Sequence, residues 1–158
     1  MGAGKTTITK LLAEKLHLQR VDMDELIVKK SGRNSDREIF EKDGEDVFRE
    51  LETQVSKELQ NIDNVVISTG GGIIMNTMNV DCLKKNGIII YLKHSFETAK
   101  KRIKKENPPP LFRDEKKAKE LYALRLPLYK NYADITIKTD NKTLEDVINE
   151  ITERIKKV

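Results

Sequence analysis

The chain opens with Met1-Gly2-Ala3-Gly4-Lys5-Thr6-Thr7, and this stretch determines how the rest of the sequence is interpreted. A Gly-x-Gly-Lys-Thr sequence that opens a helix is the second half of a phosphate-binding P-loop, because glycines let successive backbone N–H groups turn toward one anion. The helix N-terminus adds further N–H donors and the positive end of its dipole. The helix is supported by apolar residues at helical spacing, which are Ile8, Leu11, Leu12 and Leu16. Phosphate groups are therefore expected to contact Gly2, Ala3, Gly4, Lys5, Thr6 and Thr7.

Two side chains of this stretch predict contacts with a nucleoside triphosphate. Lys5 is expected to reach the β- and γ-phosphates, and the Thr6 hydroxyl to ligate Mg²⁺. The alternative is a glycine-rich turn that only starts a helix, and the Lys-Thr pair argues against it.

The full motif has another glycine five residues before Gly4, with a strand ahead of it. We expect the natural protein to begin about ten residues earlier, and a chain without that strand to be less stable and nearly inactive.

Length and composition limit the classes of protein to which the chain can belong. Its 158 residues suffice for one domain with one core. The formal net charge is +4, with no basic stripe interleaved with aromatic residues, which argues against nucleic-acid binding. The longest apolar runs are strand-sized, so no transmembrane span is expected. The single cysteine, Cys82, has no internal disulfide partner, as is typical of a cytoplasmic protein.

Strand-like and helix-like segments alternate, which predicts an α/β fold with a parallel sheet covered by helices on both faces. The four predicted strands are Leu18–Val21, Val65–Thr69, Ile88–Leu92 and Ile135–Ile137. The main predicted helices after the first are Glu25–Lys30, Glu45–Leu59, Thr77–Lys85, Glu115–Leu126 and one that Thr143 caps, with Pro127 starting a new turn. In the predicted helix Glu45–Leu59, the buried stripe is expected to be Val47, Leu51, Val55 and Leu59. No repeat or linker divides the chain, so residues 1–158 are predicted to form one domain.

Acidic residues and glycines follow two of the predicted strands. Asp22 and Asp24 come after the first strand, where side chains of an α/β fold point into the ligand crevice. Asp22 is suited to hold a metal-bound water and Asp24 to accept a hydrogen bond from a substrate hydroxyl; the alternative is that both only cap the next helix. Gly70-Gly71-Gly72 follow the second strand, where the backbone must approach a neighbour closely or turn. A ligand contact is favoured over a flexible turn.

Cations mark two further segments. Arg49 lies near the start of a predicted helix, where a cation opposes the helix dipole unless a bound carboxylate offsets that cost. The alternative is a solvated surface arginine. Prolines interrupt the segment Asn107–Arg113, which follows a basic helix and predicts a lid over approximately residues 106–116.

Taken together, these motifs resemble the shikimate kinase family along almost the whole chain. The matching pieces are Gly2-Ala3-Gly4-Lys5-Thr6, Asp22-x-Asp24, Gly44-Glu45 with Phe48-Arg49 and Glu52, Thr69-Gly70-Gly71-Gly72, Pro110-Leu111 and Arg125-x-Pro127-x-Tyr129. The resemblance implies a three-layer α/β/α P-loop kinase with a central parallel sheet, of five strands in the family and four visible here. It also implies phosphoryl transfer from ATP to the 3-hydroxyl of shikimate with Mg²⁺. A cytoplasmic monomer with small-molecule substrates, and without nucleic-acid or membrane partners, is expected.

The resemblance also implies roles for individual residues. Lys5 resembles the phosphate-binding lysine and Thr6 the metal ligand. Asp22 is similar to the acid that contacts the metal ion through a metal-bound water. Asp24 resembles the acid that binds shikimate hydroxyls and orients or deprotonates the attacking one. The substrate carboxylate and ring are expected to contact Arg49, Gly70, Gly71, Gly72 and Arg125. On the nucleotide side, Arg102 resembles the arginine that stacks on adenine, and Lys142 falls where the family often has an arginine.

The lid departs from the family pattern, which leaves alternative functions open. The family's lid arginine, which contacts the γ-phosphate, is replaced here by Pro109, and Arg113 is the candidate substitute and a third predicted catalytic residue beside Lys5 and Asp24. One alternative is a related kinase for another polyhydroxy acid such as gluconate. A second is a nucleotide- or shikimate-binding protein without turnover. The combination of Arg49, Arg125 and the three glycines favours shikimate.

Overall fold

A computed structural model describes residues 2–103, 112 and 114–158. The chain divides into two compact units, one formed by Met1–Leu12 with Ile89–Val158 (the terminal unit) and one by Ala13–Ile88 (the middle unit). Both units alternate helices with parallel strands, as the sequence predicts. The described helices are α1 Lys5–Leu16, α2 Met23–Ser31, α3 Asp36–Lys42, α4 Glu45–Leu59, α5 Thr77–Lys84, α6 Phe96–Arg102, α7 Glu115–Tyr132 and α8 Leu144–Ile155. The described strands are β1 Gln19–Asp22, β2 Val65–Ser68, β3 Ile90–Lys93 and β4 Ile135–Lys138.

In the middle unit, β1 and β2 form a parallel pair whose carboxyl ends lie side by side. The register runs from Gln19 opposite Val65 to Asp22 opposite Ser68. The segments that follow both strands therefore leave the pair at the same end, which is where α/β proteins place ligand contacts. The core of this unit is nearly closed to solvent, with exposed fractions of 0–1% at Met23, Ile27, Ile39, Val55 and Val80.

In the terminal unit, β3 and β4 form the second parallel pair, with Ile90 opposite Ile135 and Lys93 opposite Lys138. An amphipathic α8 buries Val147, Ile148 and Ile151 in this unit. Aromatic rings fill further space: Tyr91 stacks on Tyr129, Phe96 on Phe112, and the edge of Tyr122 meets Phe96. Burial among these groups raises the pKa of Tyr91 to about 12.

Several helix starts follow the caps that the sequence indicates. Thr143 and Asp146 form a complete capping box at α8, in which each side chain accepts from the other residue's backbone N–H. At α3 the Ser35 hydroxyl accepts from Glu38 N, but the Glu38 carboxylate accepts from Asn34 N instead of Ser35 N. A Ser-x-x-Glu sequence of this kind is typical of a capping box, and here the box is only half formed.

Two local predictions are wrong. Helix α7 does not end at Leu126 but continues through Pro127 to Tyr132. Proline removes one N–H and frees the carbonyl four residues back, and that carbonyl belongs to Ala123, an exposed residue of the helix. Helix α2 begins at Met23, two residues before the predicted start, because the Asp22 carboxylate accepts from Asp24 N and caps it there.

The buried face of α4 also differs from the prediction. Val47 is 40% exposed, whereas the buried residues are Phe48, Glu52, Val55, Ser56 and Leu59. Both sets have helical spacing, so periodicity alone did not distinguish them. The observed face places a carboxylate, that of Glu52, at 1% exposure.

No helix among the described residues is long and apolar enough to cross a bilayer. The predicted lid over residues 106–116 includes residues 106–111 and 113, which lie outside the described part of the chain. That lid and the single domain spanning 1–158 stay predictions.

Candidate active site

The P-loop segment of the terminal unit uses its glycines in the way the sequence predicts. Gly2 and Gly4 have positive φ angles of 65° and 75°, which side chains with a Cβ adopt at a cost. A Cβ on Gly2 would lie 3.0 Å from both Cα and the carbonyl oxygen of Ala99 in α6. The Gly4 carbonyl accepts from Ile8 N at 2.9 Å and starts α1, whose first turn carries no acidic residue. The segment is therefore a tight turn against α6 that leads directly into a helix N-terminus.

A cavity of about 500 Å³ adjoins this segment, and all of its lining belongs to the terminal unit. It brings together Gly2, Ala3, Gly4, Thr7, Ile8, Arg102, Thr139, Lys142, Thr143, Leu144 and Val147. Six of the predicted nucleotide contacts are in this set. The remaining two, Lys5 and Thr6, open α1 next to the cavity, Lys5 half-buried and Thr6 exposed.

The two cations of the cavity wall have different partners. Arg102 donates from Nη1 to the Thr139 hydroxyl at 3.2 Å and from Nη2 to the Thr139 carbonyl at 2.9 Å. Both acceptors are neutral, and Arg102 forms no ion pair within the described residues. Lys142, by contrast, forms an ion pair with Glu150 of α8. Lys142 must share its charge between that carboxylate and any bound nucleotide.

The loop between β4 and α8, which carries Thr139 and Lys142, is tied to α6. Asp140 accepts hydrogen bonds from Ser95 N at 3.1 Å and from the Thr98 hydroxyl. The Thr98 hydroxyl, with Ser95, lowers the pKa of Asp140. The carboxylate thus stays ionised at neutral pH and holds the cavity wall against the N-terminus of α6.

Replacing Gly2 with alanine tests the tight turn. We expect Gly2→Ala to raise the KM for ATP about tenfold, because backbone strain of roughly 1–3 kcal/mol and the contact with Ala99 must be relieved by moving the loop. Steady-state kinetics with varied ATP measures this effect. Gly32→Ala is the matched control, since Gly32 has a φ of 69° but no atom within 4 Å of its Cβ position. An equal KM for the two variants would contradict the role of the Ala99 contact.

In the middle unit, Asp24, Arg49 and the glycines after β2 converge. An ideal Cβ on Gly70 would lie 3.1 Å from Asp24 Oδ1 and 3.6 Å from Glu52 Oε1. One on Gly72 would lie 2.6 Å from Arg49 Nη1. The backbone after β2 therefore runs directly against these side chains, and a Cβ at either glycine would require them to shift. Three segments far apart in sequence form one polar group.

Arg49 lies between two carboxylates of its own helix. Its Nη1 is 3.1 Å from Glu52 Oε2, and its Nη2 is 3.1 Å from Glu45 Oε1. The Glu52 side chain is only 2% exposed, whereas that of Arg49 is 30% exposed. Glu52 thus holds the guanidinium at the surface of the site. Glu52 has no predicted role of its own, because the buried stripe predicted for this helix does not include it.

Asp22 has the structural role that the sequence left open. It caps α2 by accepting from Asp24 N at 3.1 Å, and it accepts from Arg20 Nη2 at 2.8 Å. Both bonds fix the first turn of α2, which carries Asp24. The other predicted metal residue, Thr6, belongs to the terminal unit. Within the described residues, no three His, Cys, Asp or Glu side chains form a metal-binding cluster.

Arg125 is a buried arginine of α7 in the terminal unit. It is 6% exposed, and its Nε has no hydrogen-bond partner among the described residues. Burial raises the pKa of Tyr129, and the charge of Arg125 opposes that rise. A buried guanidinium with an unused donor is suited to an anionic ligand, because an unmet donor costs about 1–3 kcal/mol. The lid positions Pro109 and Arg113 lie outside the described residues.

Replacing Arg49 with lysine tests whether a forked donor is required. We expect Arg49→Lys to raise the KM for the carboxylate substrate about tenfold, because an ammonium keeps the charge but not the planar pair of donors. Initial rates at varied substrate concentration give this value. Arg37→Lys, an exposed arginine of α3 paired with Glu41, is the control. An unchanged KM for Arg49→Lys would show that charge alone suffices.

Comparisons with known proteins identify the family of the chain. The family model described as shikimate kinase matches residues 1–156. The shikimate kinase of Caldicellulosiruptor bescii is 44% identical over 92% of this chain and 85% of its own length. That of Sulfurihydrogenibium sp. is 40% identical over 99% and 94%.

Solved structures show the same similarity. Shikimate kinase from Acinetobacter baumannii in complex with shikimate has a TM-score of 0.90 and 38% identity, covering 98% of this chain and 88% of that one. The Aquifex aeolicus enzyme has a TM-score of 0.85 and 37% identity, covering 99% and 92%. These values confirm the predicted P-loop kinase fold class. The chain belongs to the shikimate kinase family.

Proposed function

We propose that this kinase transfers the γ-phosphoryl group of ATP to the 3-hydroxyl group of shikimate. The observation that carries the proposal is the convergence of Asp24 and Arg49 on Gly70 and Gly72. A carboxylate is suited to accept from a hydroxyl, and a guanidinium to fork onto a carboxylate. Shikimate bears both groups. Its presence in the related Acinetobacter baumannii structure supports the same choice of substrate.

The reaction demands charge neutralisation and positioning more than covalent catalysis. In phosphoryl transfer the charge spreads over the equatorial oxygens of a loose transition state. Lys5, the backbone N–H groups of the P-loop and the α1 dipole supply positive charge for these oxygens. Arg102 has a neutrally anchored guanidinium in the wall of the same cavity, where it is suited to stack on the base. These residues form the nucleotide part of the proposal.

Asp24 and Arg49 supply the acceptor part. Asp24 accepts the hydrogen bond of the attacking hydroxyl and receives its proton as the bond to phosphorus forms. Arg49 holds the ring by its carboxylate, and Arg125 is proposed as the second carboxylate ligand because its buried Nε lacks a partner among the described residues. Fixing the carboxylate fixes the ring, so that one hydroxyl is presented to the γ-phosphate.

Mg²⁺ is the proposed metal of this reaction. The ion keeps several waters and binds through one or two protein oxygens together with substrate phosphates. The described residues fit this pattern, since Thr6 offers an exposed hydroxyl at the start of α1 and no cage of carboxylates is present among them. Asp22 is proposed to orient a metal-bound water. When bound, the ion neutralises phosphate charge.

An ADP-release assay tests the proposed function. The purified chain is assayed with ATP and Mg²⁺, and with shikimate, with gluconate, or without an acceptor. We expect saturable ADP release with shikimate only, and a product that mass spectrometry identifies as a shikimate monophosphate. Preference for gluconate would support the alternative of a related kinase for another polyhydroxy acid. Binding of shikimate without turnover would support the non-catalytic alternative.

The cytoplasmic location and the monomeric state stay predictions. Size-exclusion chromatography with light scattering measures the molar mass and hence the oligomeric state directly. A mass of about 18.2 kDa is expected; a mass twice as large would contradict the monomer.

A further inference from the structure

We infer that Glu45 is an internal competitor of the substrate carboxylate, which occupies the binding edge of Arg49 and lowers the affinity of the acceptor site. The inference rests on the proposed function, in which Arg49 binds the carboxylate of shikimate. It assigns to the first residue of α4 a control of substrate affinity.

The geometry of the guanidinium carries the inference. A guanidinium binds a carboxylate best along an edge that presents two parallel N–H groups. In Arg49, Nε and Nη2 form such an edge, and both donate to Glu45 Oε1, at 3.3 and 3.1 Å. The remaining nitrogen, Nη1, donates to Glu52 at 3.1 and 3.3 Å. A carboxylate of the protein thus already occupies the edge that an incoming carboxylate requires.

Charge makes this arrangement unfavourable for a third carboxylate. One guanidinium faces two carboxylates, so a substrate carboxylate that joined them would meet excess negative charge. One of the three must leave. The Glu52 side chain is 2% exposed, so breaking its ion pair with Arg49 costs more than breaking an exposed pair. The Glu45 side chain is 64% exposed and can return to water at small cost.

Glu45 is therefore the group that the substrate displaces. A site that is open for only a fraction of the time has an apparent dissociation constant equal to the intrinsic one divided by that fraction. Exposed ion pairs contribute little to stability, so the expected penalty is a modest factor. Glu45 sets the affinity, while Glu52 keeps Arg49 in position.

Calorimetric titration of shikimate into the protein without ATP tests this inference. We expect Glu45→Gln to bind shikimate about two- to fivefold more tightly than the unmodified chain, the factor that corresponds to losing an exposed pair. Asp46→Asn is the matched control. It removes the same charge from the same helical turn, and no hydrogen bond or ion pair joins Asp46 to Arg49. Its affinity is expected to equal that of the unmodified chain.

The possible outcomes separate the two proposals. Unchanged or weaker binding by Glu45→Gln overturns the inference, and so does an equal gain in Asp46→Asn, which would indicate a general charge effect. If the unmodified chain binds no shikimate, the proposed function fails and the inference with it. Glu45→Ala serves as a second variant, since it also removes the competing oxygens; it too must bind more tightly.

Discussion

Asp24→Asn is expected to lower kcat by about 10²–10⁴-fold, the range for loss of a general base. Asp24 Oδ1 lies against Gly70, 3.1 Å from its ideal Cβ position, and the Asp22 cap fixes the turn that carries it. Asparagine keeps the shape and still accepts a hydrogen bond from the substrate hydroxyl. It cannot take the proton at neutral pH, so we expect kcat to fall far more than the affinity for shikimate.

Single-turnover and steady-state kinetics measure this effect, and calorimetry measures shikimate binding. Glu25→Gln is the control, because it removes an acidic charge from the same helical turn while its side chain is 70% exposed. A kcat that falls less than tenfold in Asp24→Asn would indicate that Asp24 only binds the substrate. The proton would then leave by another route.

Lys5→Met is expected to lower kcat by about 10²–10³-fold, the scale for losing one preorganised group that stabilises transition-state charge. Lys5 is the first residue of α1, directly after the left-handed Gly4. Its ammonium is proposed to lie beside the β- and γ-phosphates, where charge develops. Methionine keeps the apolar stem and the helical propensity, so the fold is expected to persist.

Rates at saturating ATP and shikimate give kcat, and thermal melting verifies that the variant is folded. Lys10→Met, an exposed lysine of the same helix, is the control. A large rise in the KM for ATP with unchanged kcat would show that Lys5 binds ground state and transition state equally. In that case its charge would contribute to affinity but not to the chemical step.

Local sequence patterns predicted most helices and strands because their causes are local. Thr143 and Asp146 cap α8, and Gly2 and Gly4 adopt the positive φ angles that a P-loop requires. The exceptions depended on neighbours. The Asp22 cap moved the start of α2 by two residues, and α7 continues past Pro127 because its exposed side tolerates a missing hydrogen bond. The apolar spacing and the position of Pro127 in the sequence did not predict either of these two features.

The candidate site was predicted in its residue types but not in its contacts. Arg49 and the three glycines stand out in sequence because a cation opposes the dipole and glycines follow a strand. The burial of Glu52, and the occupation of Arg49 by Glu45, did not follow from the same patterns. Periodicity placed Val47 on the inner face of α4, whereas the structure exposes it and buries Glu52.

The sequence by itself determined the parallel α/β class and the tight glycine turn at the start of α1, and it predicted the acidic and basic residues of the candidate site. These depend on backbone freedom, helix caps and the chemistry of single side chains, which are properties of short segments. Tertiary structure alone decided that Asp24 and Glu52 lie against Gly70, and Arg49 against Gly72. It also decided which carboxylate beside Arg49 is buried and which is exposed. Such contacts join residues distant in sequence, and their energies depend on what each packed neighbour excludes from water.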